Sequence, residues 1–227
     1  MSRLEAISTE QLSHACRAVS LFPLPSVVLI PNTVMPLHVF EERYRDLVRD
    51  CLNTELRLIS VPLLADGWEQ SYSGSPPIHT TAGVGRIVNH ERLPDGRYNI
   101  ALLGIGRIHI EQELPLGQLY RTAQATLRPD QLPPSGKSGL STHLQHLRMM
   151  LAQLIVLYPR LQPELGHFIE VTGPSPALVD ALAHLVFSQP KPRQQYIEED
   201  RLTARADLVL EGLAGVIARS SHDIPEA

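Results

Sequence analysis

Hydrophobic and polar positions change their period near the middle of the chain. Before residue 128, short apolar runs alternate with polar residues or are interrupted by proline, which is typical of strands. Beyond residue 140, apolar residues recur at spacings of three and four, which is typical of amphipathic helices. The pattern predicts a β-rich region over residues 1–128, a Pro/Gly linker over 129–140 and a helical region over 141–227.

The first 64 residues predict two helices among short strands. Ser8 and Gln11 have capping-box spacing, which favours a helix over about residues 9–18. Proline removes a donor from a strand ladder, so the apolar runs 21–25 and 27–31 are interpreted as strand pieces at sheet edges or barrel corners. An apolar stripe then predicts a helix over 41–53, and residues 56–64 predict a strand.

A hairpin is the strongest local signal in the β-rich region. Pro94-Asp95-Gly96 separates two strand-like runs, 83–93 and 97–104. Proline presets the turn, and Gly96 can adopt a positive φ. Residues 107–111 and 119–127 alternate in the same way and predict further strands. Successive strands at this spacing suggest a small barrel.

Helical stripes dominate the rest of the chain. Apolar residues predict one helix over about 144–157, a second that opens at Pro174-Ser175-Pro176, and a third over 202–219. The fold class expected from these elements is α+β, with a β-rich part followed by a helical part.

Composition and charge narrow the classes of function. Hydrophobic residues make up 43% of the chain and charged residues 19%, which is a globular balance. The net charge of −4 lacks the basic excess of most nucleic-acid binders. The first 20 residues do not resemble a signal peptide, and no apolar run approaches the roughly 20 residues of a membrane span. A soluble, cytoplasmic protein is therefore expected, with Cys51 as a buried structural thiol.

Several ordered blocks closely resemble the Lon protease N-terminal domain family. The resemblance runs from about residue 20 to 219, and its blocks are Leu21–Pro31, Met35–Tyr44, Gly83–Tyr98, Gly104–Arg107 and the helical segment 181–217. It implies a PUA-like β-barrel followed by an α-helical bundle. In full Lon proteases this region helps to recognise damaged or unfolded polypeptides, and it is attached to an ATPase and a serine-lysine peptidase. The chain is therefore expected to be a stand-alone, non-catalytic member that binds unfolded or exposed hydrophobic polypeptide, and an adaptor for a protease or a homodimer also fits.

Motifs for catalysis or cofactors are weak in this sequence. Gly136-Lys137-Ser138 looks like the end of a phosphate-binding loop, but the required earlier glycine is replaced by Gln131. No nucleophile elbow occurs. His143 and His146 are spaced for a metal on a helix, yet lack a partner ligand there, so a solvated face is favoured. We therefore expect no catalytic residue, no metal and no cofactor.

The candidate binding residues lie in two places. In the block that leads into the first long helix they are His38, Phe40, Arg43 and Tyr44. In a polar loop they are Trp68 and Tyr72, because aromatics on such a loop supply contact area at low entropic cost.

The first block also has a structural interpretation. Phe40 and Tyr44 would pack the helix onto the barrel, Arg43 would pair with Glu41, and His38 would end a strand. Trp68 and Tyr72 would likewise anchor their loop.

Two other functions stay open at this point. PUA-like barrels also occur in RNA-binding proteins, and that alternative requires Arg86, Arg92, Arg97 and Arg107 to form one basic face. An unrecognised hydrolase would need a nucleophile, a base and an orienting group in one cleft, and the spacing of residues shows no such set.

Overall fold

Two compact units make up the structure, a computed structural model that describes residues 7–71, 74–115, 117–134, 136–159 and 175–222. The first unit is Met1–Pro129 and the second is Asp130–Ala227. The first carries the strands and the second is helical within its described residues.

In its described residues, the first unit contains one sheet of six strands. They are β1 (Val19–Leu21), β2 (Val34–Val39), β3 (Leu58–Val61), β4 (Thr81–Arg92), β5 (Tyr98–Glu113) and β6 (Thr122–Leu127). Their order is β2-β5-β4-β3-β1-β6, with an additional pairing between β5 and β6. The β1–β3 pairing is parallel and the others are antiparallel. The chain thus has a mixed α/β fold built around a six-stranded sheet.

The predicted hairpin joins β4 to β5. Gly96 has a φ of 83°, which explains the glycine at the turn. The amide of Leu93 donates to the Arg97 carbonyl over 2.8 Å and closes the turn. The prediction of a separate strand over 107–111 is wrong. These residues are in a strand, but that strand is β5, which continues through them with only a register shift against β4. Alternation alone does not reveal that two runs belong to one strand.

The segment 27–31 is not the strand piece that its apolar run predicts. It pairs with no strand among the residues that the structure describes, yet Val28, Leu29 and Ile30 are buried. The segment lies against β4 and β5, where glycines leave room for its backbone. A Cβ on Gly83 would lie 2.0 Å from the Leu29 carbonyl oxygen, and one on Gly104 would lie 2.3 Å from that of Ile30. Glycine at these two positions thus permits the close approach of the two backbones.

Two helices flank the strands of this unit. Helix α1 (Thr9–Ala15) has the predicted capping box, with reciprocal bonds between Ser8 and Gln11. Helix α2 (Glu42–Leu52) follows β2 directly and buries one stripe of side chains, namely Tyr44, Leu47, Val48 and Cys51. These residues join the core that underlies β2.

The second unit contains four helices in its described part. They are α3 (Ser141–Leu157), α4 (Pro176–Val186), α5 (Pro190–Glu198) and α6 (Leu202–His222). Helix α5 was missed by the sequence analysis, because Pro190, Pro192 and many polar residues hide its periodicity. Proline is accommodated there because the first helical residues have no intrahelical acceptor for their amides.

A buried ion network ties the second unit together. Arg205 is fully buried, and its Nη1 and Nη2 lie 3.1 Å from Asp180 and 2.5 Å from Asp130. The Tyr196 hydroxyl donates to Asp180 over 2.7 Å, and the guanidinium carbon lies 5.3 Å from the centre of the Tyr196 ring. Burial and the Asp180 carboxylate raise the pKa of Tyr196 well above its ordinary value, so the hydroxyl stays a donor.

Candidate functional site

One side of β2 is apolar and open to solvent. Met35 and Val39 point into the core, whereas Val34, Pro36 and His38 are exposed, and Phe40 continues the row just beyond the strand. Val34 is 51% exposed and Phe40 62%. We call the row of Val34, Pro36, His38 and Phe40 the β2 face. Strand side chains alternate, so every second residue lies on this side of the sheet. At about 3.3 Å per residue, the row from Val34 to Phe40 spans about 20 Å.

Neighbouring residues of β5 widen the β2 face. Leu103 pairs with Val34, Ala101 pairs with Pro36, and both are half-buried. Residues that pair across strands share a side of the sheet. The two ends of the face therefore differ, since the Val34 end is apolar on both strands.

A chain of hydrogen bonds fixes the other end of the face. Asn99 pairs with His38 in the sheet, and its Oδ1 lies 2.8 Å from the His38 Nδ1. The side-chain amide of Asn99 donates to the Glu91 carboxylate over 3.2 Å, and Arg97 Nη1 lies 3.3 Å from His38 Nε2. These partners fit an imidazole protonated on Nδ1 that accepts at Nε2 from Arg97. The His38 ring is stacked 6.3 Å from Phe40, so the network also supports that side chain.

The predicted residues of this block divide between surface and framework. His38 and Phe40 lie together on the β2 face. Tyr44 is only 6% exposed and packs 4.3 Å from the ring of Phe22. Arg43 pairs with Glu41 at 2.8 Å and lies over the Tyr44 ring. The contacts of Arg43 and Tyr44 match their structural interpretation.

The two loop aromatics stand apart from this arrangement. Trp68 is half-buried and begins a turn of 3₁₀ helix over Trp68–Ser71 after β3. It belongs to neither β2 nor β5. Tyr72 lies outside the described residues.

A second apolar surface lies in the helical unit. Side chains of α3 and α6 line an open groove of about 980 Å³, with Met149 and Val156 well exposed at its mouth. The sequence analysis did not select this surface, because its residues belong to the stripes that predict helix packing. The groove has no strand edge and few polar groups to orient a ligand.

Other chemistry is not assembled in the residues that the structure describes. Among them no group of three or more metal-binding side chains occurs, and His143 lies 3.3 Å from Asp207. Both cysteines are buried, and burial raises the pKa of Cys16 to about 11 and that of Cys51 to about 12. Arg107 is 2% exposed, so the four arginines required for RNA binding do not form one open basic face. No helix in the described ranges is both long and apolar enough to cross a membrane.

The sequence analysis found half of the β2 face and missed the rest. It named His38 and Phe40 but neither Val34 nor Pro36, and it did not select the neighbouring Leu103 and Ala101 of β5. The missed signal is a period of two from Val34 to Phe40, which is hard to see because inward and outward positions are almost equally apolar.

Comparison with protein families gives one match over most of the chain. The model of the ATP-dependent protease La (LON) substrate-binding domain matches residues 18–215. The Lon protease of Methylocella silvestris is 26% identical over 208 residues, which is 90% of this chain and 25% of that protein. The Lon protease of Phenylobacterium zucineum is 25% identical over 198 residues, or 87% of this chain and 24% of that protein. The chain thus spans about a quarter of the length of these relatives.

Two solved structures share the fold. The N-terminal domain of the Mycobacterium avium complex Lon protease superposes with a TM-score of 0.66 at 13% identity, over 87% of this chain and 98% of that one. A Lon N-terminal domain protein from Xanthomonas campestris gives a TM-score of 0.58 at 25% identity, over 86% and 97%.

Proposed function

Because the chain belongs to the family of Lon substrate-binding domains, we propose that it binds exposed segments of polypeptide. The observation that carries the proposal is the β2 face, an apolar row that stays open beside a well-packed core. The proposed binding residues are Val34, Pro36, His38 and Phe40, with Trp68 and Tyr72 retained as additional contacts. Arg43 and Tyr44 support the face by fixing the start of α2.

Binding at such a face is weak and tolerant of sequence. Apolar burial contributes about 25 cal/mol per Å², and burying the exposed parts of Val34 and Phe40 contributes about 1–2 kcal/mol each. Association costs offset much of this gain. Affinities in the micromolar range or weaker therefore follow, and apolar contacts without direction accept many sequences.

The proposed role is binding without catalysis. The part of the Lon proteases that this chain matches is a quarter of their length, and the matching family model is named for substrate binding. We propose that the chain acts in the cytoplasm as an adaptor, which holds a segment for a protease or works as a homodimer. The buried Arg107 speaks against the RNA-binding alternative.

The architecture also supports a finer interpretation. Pairings run from β5 through β4, β3, β1 and β6, and β6 pairs again with β5. We infer that these five strands form a PUA-like barrel, with β2 attached outside the ring. We further propose that residues 1–128 form this β-rich subdomain, 129–140 a linker and 141–227 a helical subdomain.

The proposal is tested by fluorescence anisotropy with three labelled probes. These are reduced, carboxymethylated α-lactalbumin, which is unfolded, native α-lactalbumin and a 20-nucleotide single-stranded RNA. We expect saturable binding of the unfolded protein alone. Phe40→Ser should weaken it at least fivefold, because the largest exposed side chain of the face is removed.

A matched control separates the face from general stickiness. Leu119 is 61% exposed, lies in the same unit and is not part of β2, so Leu119→Ser should bind like the unmodified protein. Met149→Ser tests the groove of the helical unit in the same assay. Normal binding by Phe40→Ser with loss in Met149→Ser would move the site to the groove, and binding of the RNA alone would overturn the proposed function.

A further inference from the structure

One edge of β2 has no strand beside it in the described part of the chain. Within the described ranges this strand pairs with β5 alone. The Gly104 amide donates to the Thr33 carbonyl over 2.9 Å, and on the far side of β5 the Leu93 amide donates to Arg97. Antiparallel bonding alternates along a strand, so these two bonds fix which residues face which neighbour. The backbones of Met35, Leu37 and Val39 face β5, and those of Val34, Pro36 and His38 face the open edge.

The same residues carry the open backbone and the exposed side chains. Val34, Pro36 and His38 lie on the β2 face, and their backbone groups point away from the sheet along that edge. A row of unpaired amides and carbonyls is a template for another strand. A helix pairs its backbone internally and cannot use such a row, so the edge selects for extended polypeptide.

Proline at position 36 limits what the edge accepts. Pro36 has no amide hydrogen, so the three outward residues offer two donors and three acceptors. A ligand strand without proline could form five hydrogen bonds with these residues. Two antiparallel copies of β2 that meet at Pro36 would form only four, because each copy lacks one donor. The edge therefore favours a foreign strand over a second copy of this chain.

We propose that the ligand binds as an extended strand along the open edge of β2, an inference that rests on the proposed function. Alternate side chains of the ligand then lie beside Val34, Pro36 and Phe40 on the β2 face. The substrate class is an unpaired segment with apolar residues at every second position, in contrast to an amphipathic helix.

The test compares peptides that differ only in their backbone. The parent is a fluorescein-labelled nonapeptide of alternating valine and threonine with flanking lysines. One version carries N-methyl groups on three odd-numbered residues, and a second version carries them on three even-numbered residues. A lactam-stapled helical peptide of similar hydrophobicity completes the set. We expect the parent to bind, one N-methylated version to lose at least tenfold in affinity, and the other to stay within threefold.

The expected difference has a geometric cause. N-methylation removes amide donors and adds bulk, so it weakens binding only when it is on the alternate peptide residues whose backbone groups face β2. Val34→Pro removes an outward donor from the protein and should weaken peptide binding more than Val34→Ala, which shortens the side chain alone. Circular dichroism of both variants checks that the sheet is retained, and the peptide series does not depend on either variant.

Each remaining outcome decides between the two proposals. Equal binding of both N-methylated versions, or binding of the stapled helix as tight as that of the parent, would overturn strand addition while the proposed function stands. A parent peptide that fails to bind while unfolded α-lactalbumin binds would do the same. Failure of every peptide and of the unfolded protein would remove the proposed function itself. A concentration-dependent dimer in sedimentation that Val34→Pro dissociates, without competition by peptide, would assign the edge to a second copy.

Discussion

Replacing Gly104 by alanine should destabilise the first unit by about 3–5 kcal/mol. The new Cβ would lie 2.3 Å from the Ile30 carbonyl oxygen and 3.1 Å from the Pro31 Cα, so the buried segment must move by roughly 1 Å to reach ordinary contact. Overpacking of this kind costs about 1–3 kcal/mol. The shift also strains two backbone hydrogen bonds, each worth about 1 kcal/mol. In one the Gly104 amide donates to the Thr33 carbonyl, and in the other the Asn32 amide donates to the Gly104 carbonyl.

Urea unfolding measures this loss directly. Trp68 is the only tryptophan of the chain and lies in the first unit, so its fluorescence reports that unit. Gly106→Ala is a matched control on the same strand, because its Cβ would meet Leu12 and Val84 only at 3.8 and 3.9 Å. We expect the control to stay within about 1 kcal/mol of the unmodified protein. If Gly104→Ala were equally stable, the close packing of the segment against β5 would be refuted.

Three further predictions follow from the buried groups and the hairpin. Arg205→Met should lower the free energy of unfolding of the second unit by about 3–5 kcal/mol, because it leaves the Asp180 carboxylate buried without its cation. Adding Asp180→Leu should recover part of this loss, and thermal melting followed by circular dichroism measures both variants. The thiols of Cys16 and Cys51, with pKa values of about 11 and 12, should react with Ellman's reagent at pH 8 only after urea is added, and rapid reaction of the native protein would contradict their burial. Gly96→Ala should cost about 1–2 kcal/mol in urea unfolding, because its φ of 83° is unfavourable for alanine, and an unchanged midpoint would show that the turn relaxes.

Local signals explain which elements could be predicted from the sequence. Helix α2 has a clean apolar stripe over a polar background, and the β4–β5 turn needs a glycine at its positive φ. Both signals arise within a few residues of the chain. Helices α3 and α6 were found for the same reason, since their stripes recur over several turns.

Non-local contacts explain what the sequence could not reveal. The segment 27–31 has the composition of a strand, but Gly83 and Gly104 bring the strand surface so close that it packs without pairing. Strand β2 contains Pro36 and apolar residues on both sides, so it shows neither a helical nor a clear alternating period. Its exposure depends on its register with β5, a strand that lies far from it along the chain.

The candidate site divides along the same line. The sequence directed attention to the block around Phe40, but could not separate the exposed Phe40 from the buried Tyr44 four residues later. One lies just beyond an edge strand and the other on the inner stripe of α2. The turn from β2 into α2, at Glu41, leaves Phe40 in solvent and directs Tyr44 into the core.

An open strand edge would also explain how one surface distinguishes unfolded from folded polypeptide. Strand β2 is held by its ladder with β5, by its core-facing side chains and by α2, so it is already ordered before a ligand arrives. The entropic cost of binding then falls mainly on the ligand, at roughly 1–2 kcal/mol for each backbone residue that becomes fixed. A folded protein keeps its strands paired with one another and would have to break those bonds first. An unfolded segment has unpaired backbone groups and would bear only the ordering cost, so weak contacts at the β2 face could be selective without being specific for sequence.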